Sequence, residues 1–128
     1  MSQRSIHTEL APAAIGPYSQ AVAIQNLLFT SMQIALDPDS GELSGTTAAE
    51  QARRCLENVG AILQAGGGSF AAVVKTTVYL TDLAQFASVN EAYAEFFTGD
   101  LPARSVVPVA ALPKGALVAV EAIASLSE

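Results

Sequence analysis

Apolar residues recur along this chain with two different periods, and each change of period marks an element. Ala21 to Ile24 and Leu27 to Gln33 are short apolar runs on either side of Gln25-Asn26 and read as a hairpin. Ser5 to Glu9 reads as a short edge strand, and Ala11 to Pro17 as a loop broken by Pro12 and Pro17. Asp37 to Gly45, DPDSGELSG, is turn chemistry, because Asp, Pro and Gly each favour tight reversals. Thr47-Ala48-Ala49-Glu50 is a capping box, in which the Thr and Glu side chains satisfy free amides at a helix start. Ala52, Cys55, Leu56, Val59, Ile62 and Leu63 then fall on one helical face, and Gly66-Gly67-Gly68 ends the helix. Val73 to Leu80 is β-branched and largely apolar, a strand. After a turn at Thr81-Asp82, Phe86, Val89, Tyr93, Phe96 and Phe97 make the stripe of a second helix. Leu101 to Ala124 closes the chain as two apolar strands joined by a Pro-Lys-Gly turn.

The resulting order is β-β-α-β-α-β-β in a single domain spanning 1–128. It predicts an α+β fold of two layers, one mostly antiparallel sheet with both helices on one face. Most strands are apolar on both faces, yet two helices can cover only one, so the other face is expected to be buried by a further subunit.

Two charges stand out against this apolar background. Arg104 opens the first of the last two strands, and Glu121 sits inside the second, between Val118-Ala119-Val120 and Ala122-Ile123-Ala124. Charged side chains are rarely buried without a partner, so both are expected to line a cleft or an interface. A guanidinium presents a rigid fork of donors that fits a carboxylate, although a structural salt bridge or an exposed strand end would explain Arg104 as well. A partly buried carboxylate suits a proton acceptor, although a simple ion pair with Arg104 or Lys114 would explain Glu121 equally.

Composition narrows the chemistry further. The net charge of −6 over 128 residues argues against broad contact with nucleic acid or an anionic membrane, and only Arg53-Arg54 are adjacent basic residues. A single cysteine, Cys55, allows no internal disulfide and suits a reducing compartment. The N-terminal MSQRSIHTELAP lacks the apolar run of a signal peptide, and no uncharged apolar stretch reaches membrane-spanning length, so a cytoplasmic protein is expected. With one histidine (His7) and one cysteine there is no ligand set for zinc and little for a nucleophile–histidine pair. The triple glycine follows a helix and so is no phosphate loop. No cofactor and no metal are expected.

Several segments together resemble one family. PARS at 102–105, LPKGALV at 112–118 and EAIA at 121–124 are similar to the C-terminal signature of the RidA (YjgF) family of enamine/imine deaminases. Ala14-Ile15-Gly16-Pro17-Tyr18-Ser19-Gln20-Ala21 resembles its N-terminal signature, as do Phe29-Thr30-Ser31-Met32-Gln33, Asp37-Pro38 and Gly41-Glu42-Leu43. Val74-Lys75-Thr76-Thr77-Val78 and FASVNEAYAEFF at 86–97 fit as well, so the likeness runs over nearly the whole chain in order.

The resemblance implies a chorismate-mutase-like fold, a homotrimer with clefts between subunits, and hydrolysis of 2-iminopropanoate and 2-iminobutanoate to 2-keto acids and ammonia. It implies that Arg104 binds the substrate carboxylate and that Glu121 sits beside the attacking water. It places Tyr18 and Ser31 at the cleft, and Val106 there through its main-chain atoms; Asn90, on the second helix, is a further substrate-binding candidate, although an exposed polar residue would explain it equally. Three positions depart from the pattern: Met32 replaces a usual glycine, Pro108 lies in a strand, and Ala111 stands where a basic residue is common. Met32 keeps open a small-acid-binding or holdase-like protein with an inactive cleft. An endoribonuclease is the weaker alternative, given the acidic charge.

Overall fold

A computed structural model describes residues 2–126. Seven strands and two helices follow in the order β1 (Arg4–Ile6), β2 (Ala21–Ile24), β3 (Leu27–Thr30), β4 (Gln33–Ile34), α1 (Ala48–Ala65), β5 (Val73–Leu80), α2 (Phe86–Ala94), β6 (Ala103–Pro108) and β7 (Val118–Ser125). The strands form one sheet in the order β1-β2-β3-β7-β5-β6, with β4 also pairing β7. Every pairing is antiparallel except β5 with β6, which is parallel. The α+β architecture with both helices on one sheet face is as the pattern predicts. No helix among the described residues is long and apolar enough to cross a membrane.

The last two strands are the main departure from the sequence reading. β6 and β7 are not paired with each other, because β5 lies between them. The Pro-Lys-Gly segment is therefore part of a crossing and not the tip of a hairpin. Lys114 there has φ 60° and ψ 20°, a left-handed conformation that a side chain adopts at some cost. The run Leu27 to Gln33 is also not one strand. It breaks at Ser31-Met32, and the hydroxyl of Thr30 takes the amide of Ala122 at 3.0 Å.

Helix α1 begins and ends as its residues dictate. The Thr47 hydroxyl accepts from the Glu50 amide at 3.1 Å, while the Glu50 carboxylate accepts from the amides of Thr46 and Thr47. These backbone bonds hold the Glu50 carboxyl below its ordinary pKa. At the other end Gly67 is left-handed, φ 88°. Its amide bonds Gln64 and that of Gly68 bonds Leu63, the two crossed bonds of a Schellman cap. Thr47→Ala is expected to lower stability by about 1 kcal/mol, read as a lower midpoint in denaturant with unchanged slope.

The core lies between α1 and the helix-facing side of the sheet. Leu56, Val59, Ile62 and Leu63 of α1 are fully buried, as are Leu28, Leu80, Val118 and Ala124 from the strands. Phe96 and Phe97 follow the end of α2 instead of extending it, and pack on Phe70 with ring centroids 5.4 Å apart. The far side of the sheet is different. Leu27 and Phe29 of β3 and Val107 of β6 are exposed there, and Val22, Ile24 and Ile123 are half-buried.

Candidate functional site

Arg104 stands on β6, the edge strand opposite β1. It is in register with Thr76 of β5, a fully buried residue on the helix-facing side. Directly paired residues share a face, so the guanidinium projects toward α2. There its Nη1 donates to Asn90 Oδ1 at 2.7 Å. Its central carbon lies 4.8 Å from the ring centre of Tyr93 and 5.4 Å from that of Phe86, close enough for cation–π attraction. Among the described residues no carboxylate pairs with it, so the salt-bridge explanation does not hold. Neutral partners thus orient the guanidinium and leave its charge uncompensated. It borders a cavity of about 450 Å³ with Asn90, Tyr93, Phe97, Leu101 and Pro102. Tyr93 is fixed in turn by a 2.7 Å hydrogen bond between its hydroxyl and that of Thr76.

Val106 lies two residues further along β6. The amide of Val109 reaches back to the Leu80 carbonyl at 2.8 Å, toward β5. Main-chain groups alternate in direction along an extended strand, so those of Arg104, Val106 and Pro108 turn outward to the open edge. Val106 can therefore offer its amide and carbonyl to a ligand at that edge. The same alternation accounts for Pro108, whose missing amide falls where no strand is paired.

A second group of residues gathers elsewhere. Ser31 occupies the gap between β3 and β4, whose flanking pairs on β7 are Phe29 with Ile123 and Gln33 with Val120. Glu121 is the β7 residue that this gap faces. The Ser31 hydroxyl donates to the Ser19 carbonyl at 2.6 Å, and its amide donates to the Gln20 carbonyl at 2.8 Å. Its hydroxyl proton is thus committed within the protein, and the oxygen is what it can offer as an acceptor. Tyr18 lies on the loop before β2, more than half exposed, with its hydroxyl accepting weakly from the Ile15 amide at 3.4 Å. Tyr18, Met32, Ile15, Pro113 and Lys114 line a cavity of about 520 Å³. Met32 has no positive φ, so methionine sits here without backbone strain and changes only the wall of that cavity.

Glu121 is half-buried and in register with Thr77 of β5, which in turn pairs with Ser105 of β6. Arg104 and Glu121 therefore project from opposite faces of the sheet, two strands apart. Glu121 forms no ion pair with Arg104 or Lys114 among the described residues. A small acid held at Arg104 cannot also touch Glu121 of the same copy. The candidates thus fall into two candidate half-sites: Arg104, Asn90 and the outward edge at Val106 in one, and Glu121 with the Ser31 gap in the other, where Met32 follows Ser31 in the chain and lines a cavity with Tyr18.

The remaining candidates fall away from these groups. His7 is exposed near the N-terminus. Cys55 is buried in the core, and burial pushes its thiol far above the ordinary range. Among the described residues no three His, Cys, Asp or Glu side chains converge as a metal would need. Sequence reasoning missed the aromatic platform of Phe86 and Tyr93, which it assigned wholly to the core stripe. The signal available was their spacing of seven with Asn90 between them, which places all three on neighbouring helical positions.

Comparisons with known proteins agree with this fold. The model of the family described as Endoribonuclease L-PSP matches residues 8–126. A rat protein named 2-iminobutanoate/2-iminopropanoate deaminase is 51% identical over 122 residues, covering 95% of this chain and 89% of its own. The crystal structure of the E. coli YjgF gene product superposes with a TM-score of 0.93 at 48% identity, covering 97% of this chain and 99% of its own. That of E. coli TdcF with bound serine gives a TM-score of 0.93 at 46% identity, with the same coverage.

Proposed function

Since the chain belongs to the Endoribonuclease L-PSP family, and within it groups with RidA/YjgF proteins, we propose that it hydrolyses 2-imino acids and their enamine tautomers to 2-keto acids and ammonia. The observation that carries this reading is the Arg104 guanidinium, oriented by Asn90, Phe86 and Tyr93 and lacking any carboxylate of its own among the described residues. Such a group takes a small carboxylate with two parallel hydrogen bonds. The serine bound to TdcF and the imino acids in the name of the rat relative are small carboxylates of this kind.

In the proposed reaction Arg104 clamps the carboxylate and the outward main-chain groups at Val106 hold the imine nitrogen or the water. Glu121 accepts a proton from that water as its oxygen bonds to the carbon of the protonated imine, giving a neutral carbinolamine. Glu121 then passes that proton to the nitrogen, the carbon–nitrogen bond breaks as the hydroxyl gives its proton to Glu121, and ammonia and a 2-keto acid leave, with Glu121 returning the last proton to solvent. The two half-sites lie on opposite faces of one sheet, so the reaction requires Arg104 of one copy to meet Glu121 of another. A cyclic homotrimer with its sites between subunits meets that requirement and covers the exposed Leu27, Phe29 and Val107. Cleavage of RNA has less support. The net charge is −6, and the Arg104 cavity holds no second basic side chain, whereas a polyanion needs several.

The test generates 2-iminopropanoate and 2-iminobutanoate in situ with an amino-acid oxidase and follows keto-acid release while semicarbazide competes for the imine. Acceleration above the uncatalysed rate is expected. Its absence for both acids would remove the deaminase reading and favour a binding protein. In the same assay Met32→Gly is expected to raise the rate for a branched imino acid relative to 2-iminopropanoate, because it removes a wall of the cavity beside Tyr18. An unchanged ratio would mean that Met32 does not meet the substrate.

A further inference from the structure

Tyr79 was not among the residues that the sequence singled out, yet it is placed to govern Glu121. On β5 the residues that share the face of Glu121 are Lys75, Thr77 and Tyr79. Thr77 is directly opposite Glu121, while Lys75 pairs with Ile123 and Tyr79 with Ala119. The carboxylate therefore has two polar diagonal neighbours, an ammonium on one side and a phenol on the other, each within reach of a long side chain. Lys75 is already engaged, its Nζ donating to Ser105 Oγ at 2.7 Å. The Tyr79 ring stands on the opposite side of Glu121 from Lys75. Burial, the Glu121 charge and hydrogen bonding between the two together raise the phenol's pKa. A phenol that keeps its proton beside a carboxylate is a donor to it.

The two neighbours lead in opposite directions along the sheet. Ile123 and Lys75 lie toward the end where Leu27 and Phe29 sit. Ala119 and Tyr79 lie toward the end where Ile34 pairs with β7 and where Ser31 and Met32 precede it. Tyr79 is also in register with Val107, next to the outward main-chain groups at Val106. No other charged side chain on β3, β4, β5, β6 or β7 shares this face among the described residues; Ser105, Ser31 and Thr77 are its remaining hydroxyl groups near Glu121.

We propose that Tyr79 is a positioning residue for Glu121, donating its hydroxyl proton to the carboxylate and holding it at the Ser31 end of β7, away from Lys75. This rests on the reading that Glu121 receives the proton of the attacking water. Without the phenol the carboxylate loses a donor and is free to turn to Lys75.

The experiment compares wild type, Tyr79→Phe and Glu121→Gln in the imine assay, with the uncatalysed rate subtracted, and follows the Glu121 carboxyl carbon by ¹³C NMR in the first two. Phenylalanine keeps the ring and its packing. Losing the phenol donor changes the hydrogen bonding of the carboxylate, so the Glu121 carboxyl resonance is expected to move in Tyr79→Phe. The maximal rate falls several-fold while KM, set by the carboxylate clamp, holds. An unmoved resonance, with Glu121→Gln inactive, overturns the role of Tyr79 and leaves the proposed function standing. Full activity of Glu121→Gln overturns the reading beneath both. The NMR resonance is read without turnover, so it tests Tyr79 even in an inactive preparation.

Discussion

Arg104→Ala is expected to bring imine hydrolysis down to the uncatalysed rate while the protein stays folded. Arg104 is on an exposed edge strand, so its removal strands no buried ion and breaks no salt bridge among the described residues. The structural cost is one hydrogen bond to Asn90 and the cover over two rings, Phe86 and Tyr93, of which Tyr93 remains tied to Thr76. The functional cost is larger. Two charge-assisted hydrogen bonds to a substrate carboxylate are worth roughly 3 kcal/mol in a partly desolvated cleft, or about two orders of magnitude in kcat/KM. Free imines hydrolyse unaided, so a loss of that size leaves nothing measurable above background. Arg104→Lys keeps the charge but not the planar fork, and Lys does not stack on the two rings in the same way, so only partial recovery is expected. The checks are keto-acid release for the three proteins and a thermal melt of each. A folded Arg104→Ala protein with undiminished acceleration would eliminate the carboxylate clamp.

That expectation starts from a residue visible in the sequence, and its partners show where visibility ended. Local rules specified the Thr47–Glu50 box, the glycine cap and the strand Val73–Leu80, since each depends on residues within a few positions of one another. Pairing of distant strands does not. Nothing local indicates that β5 inserts between β6 and β7, or the register that pairs Thr76 with Arg104 and the adjacent Thr77 with Glu121, which puts the two charges on opposite faces. The break at Ser31-Met32 was hidden for a related reason. Leu27 to Gln33 is locally a strand, but the Ser31 amide and hydroxyl are claimed by the carbonyls of Gln20 and Ser19, more than ten positions away. Arg104 and Glu121 were legible because a charge in an apolar run needs a reason. Tyr79 was not, because an aromatic residue in a strand needs none.

The opposite facing of the two half-sites leads to an expectation that a single-chain site could not meet. Arg104→Ala and Glu121→Gln are each expected to be inactive alone, and a mixed assembly of the two is expected to be active. In a cyclic oligomer each site takes its guanidinium from one copy and its carboxylate from a neighbour. An intact site forms wherever the Glu121→Gln copy supplies Arg104 and the Arg104→Ala copy supplies Glu121. With random mixing each condition is met half the time, so about a quarter of the sites are intact, whatever the number of subunits. Equal amounts of the two variants, refolded together, are then expected to recover about a quarter of the wild-type rate per chain. Each variant refolded separately and combined afterwards, under conditions where subunits do not exchange, recovers nothing. Sedimentation of wild type must show an oligomer for the experiment to be meaningful, and a monomer that hydrolyses imines would by itself defeat the shared-site proposal. Confirmed mixed oligomers without recovered activity would defeat it too. The exposed face carrying Leu27, Phe29 and Val107 gives a second handle, because a site built between copies must be lost when the copies part. Phe29→Glu puts a charge directly between the paired Val22 and Ile123 on that face, and dissociation and loss of activity are expected to occur together.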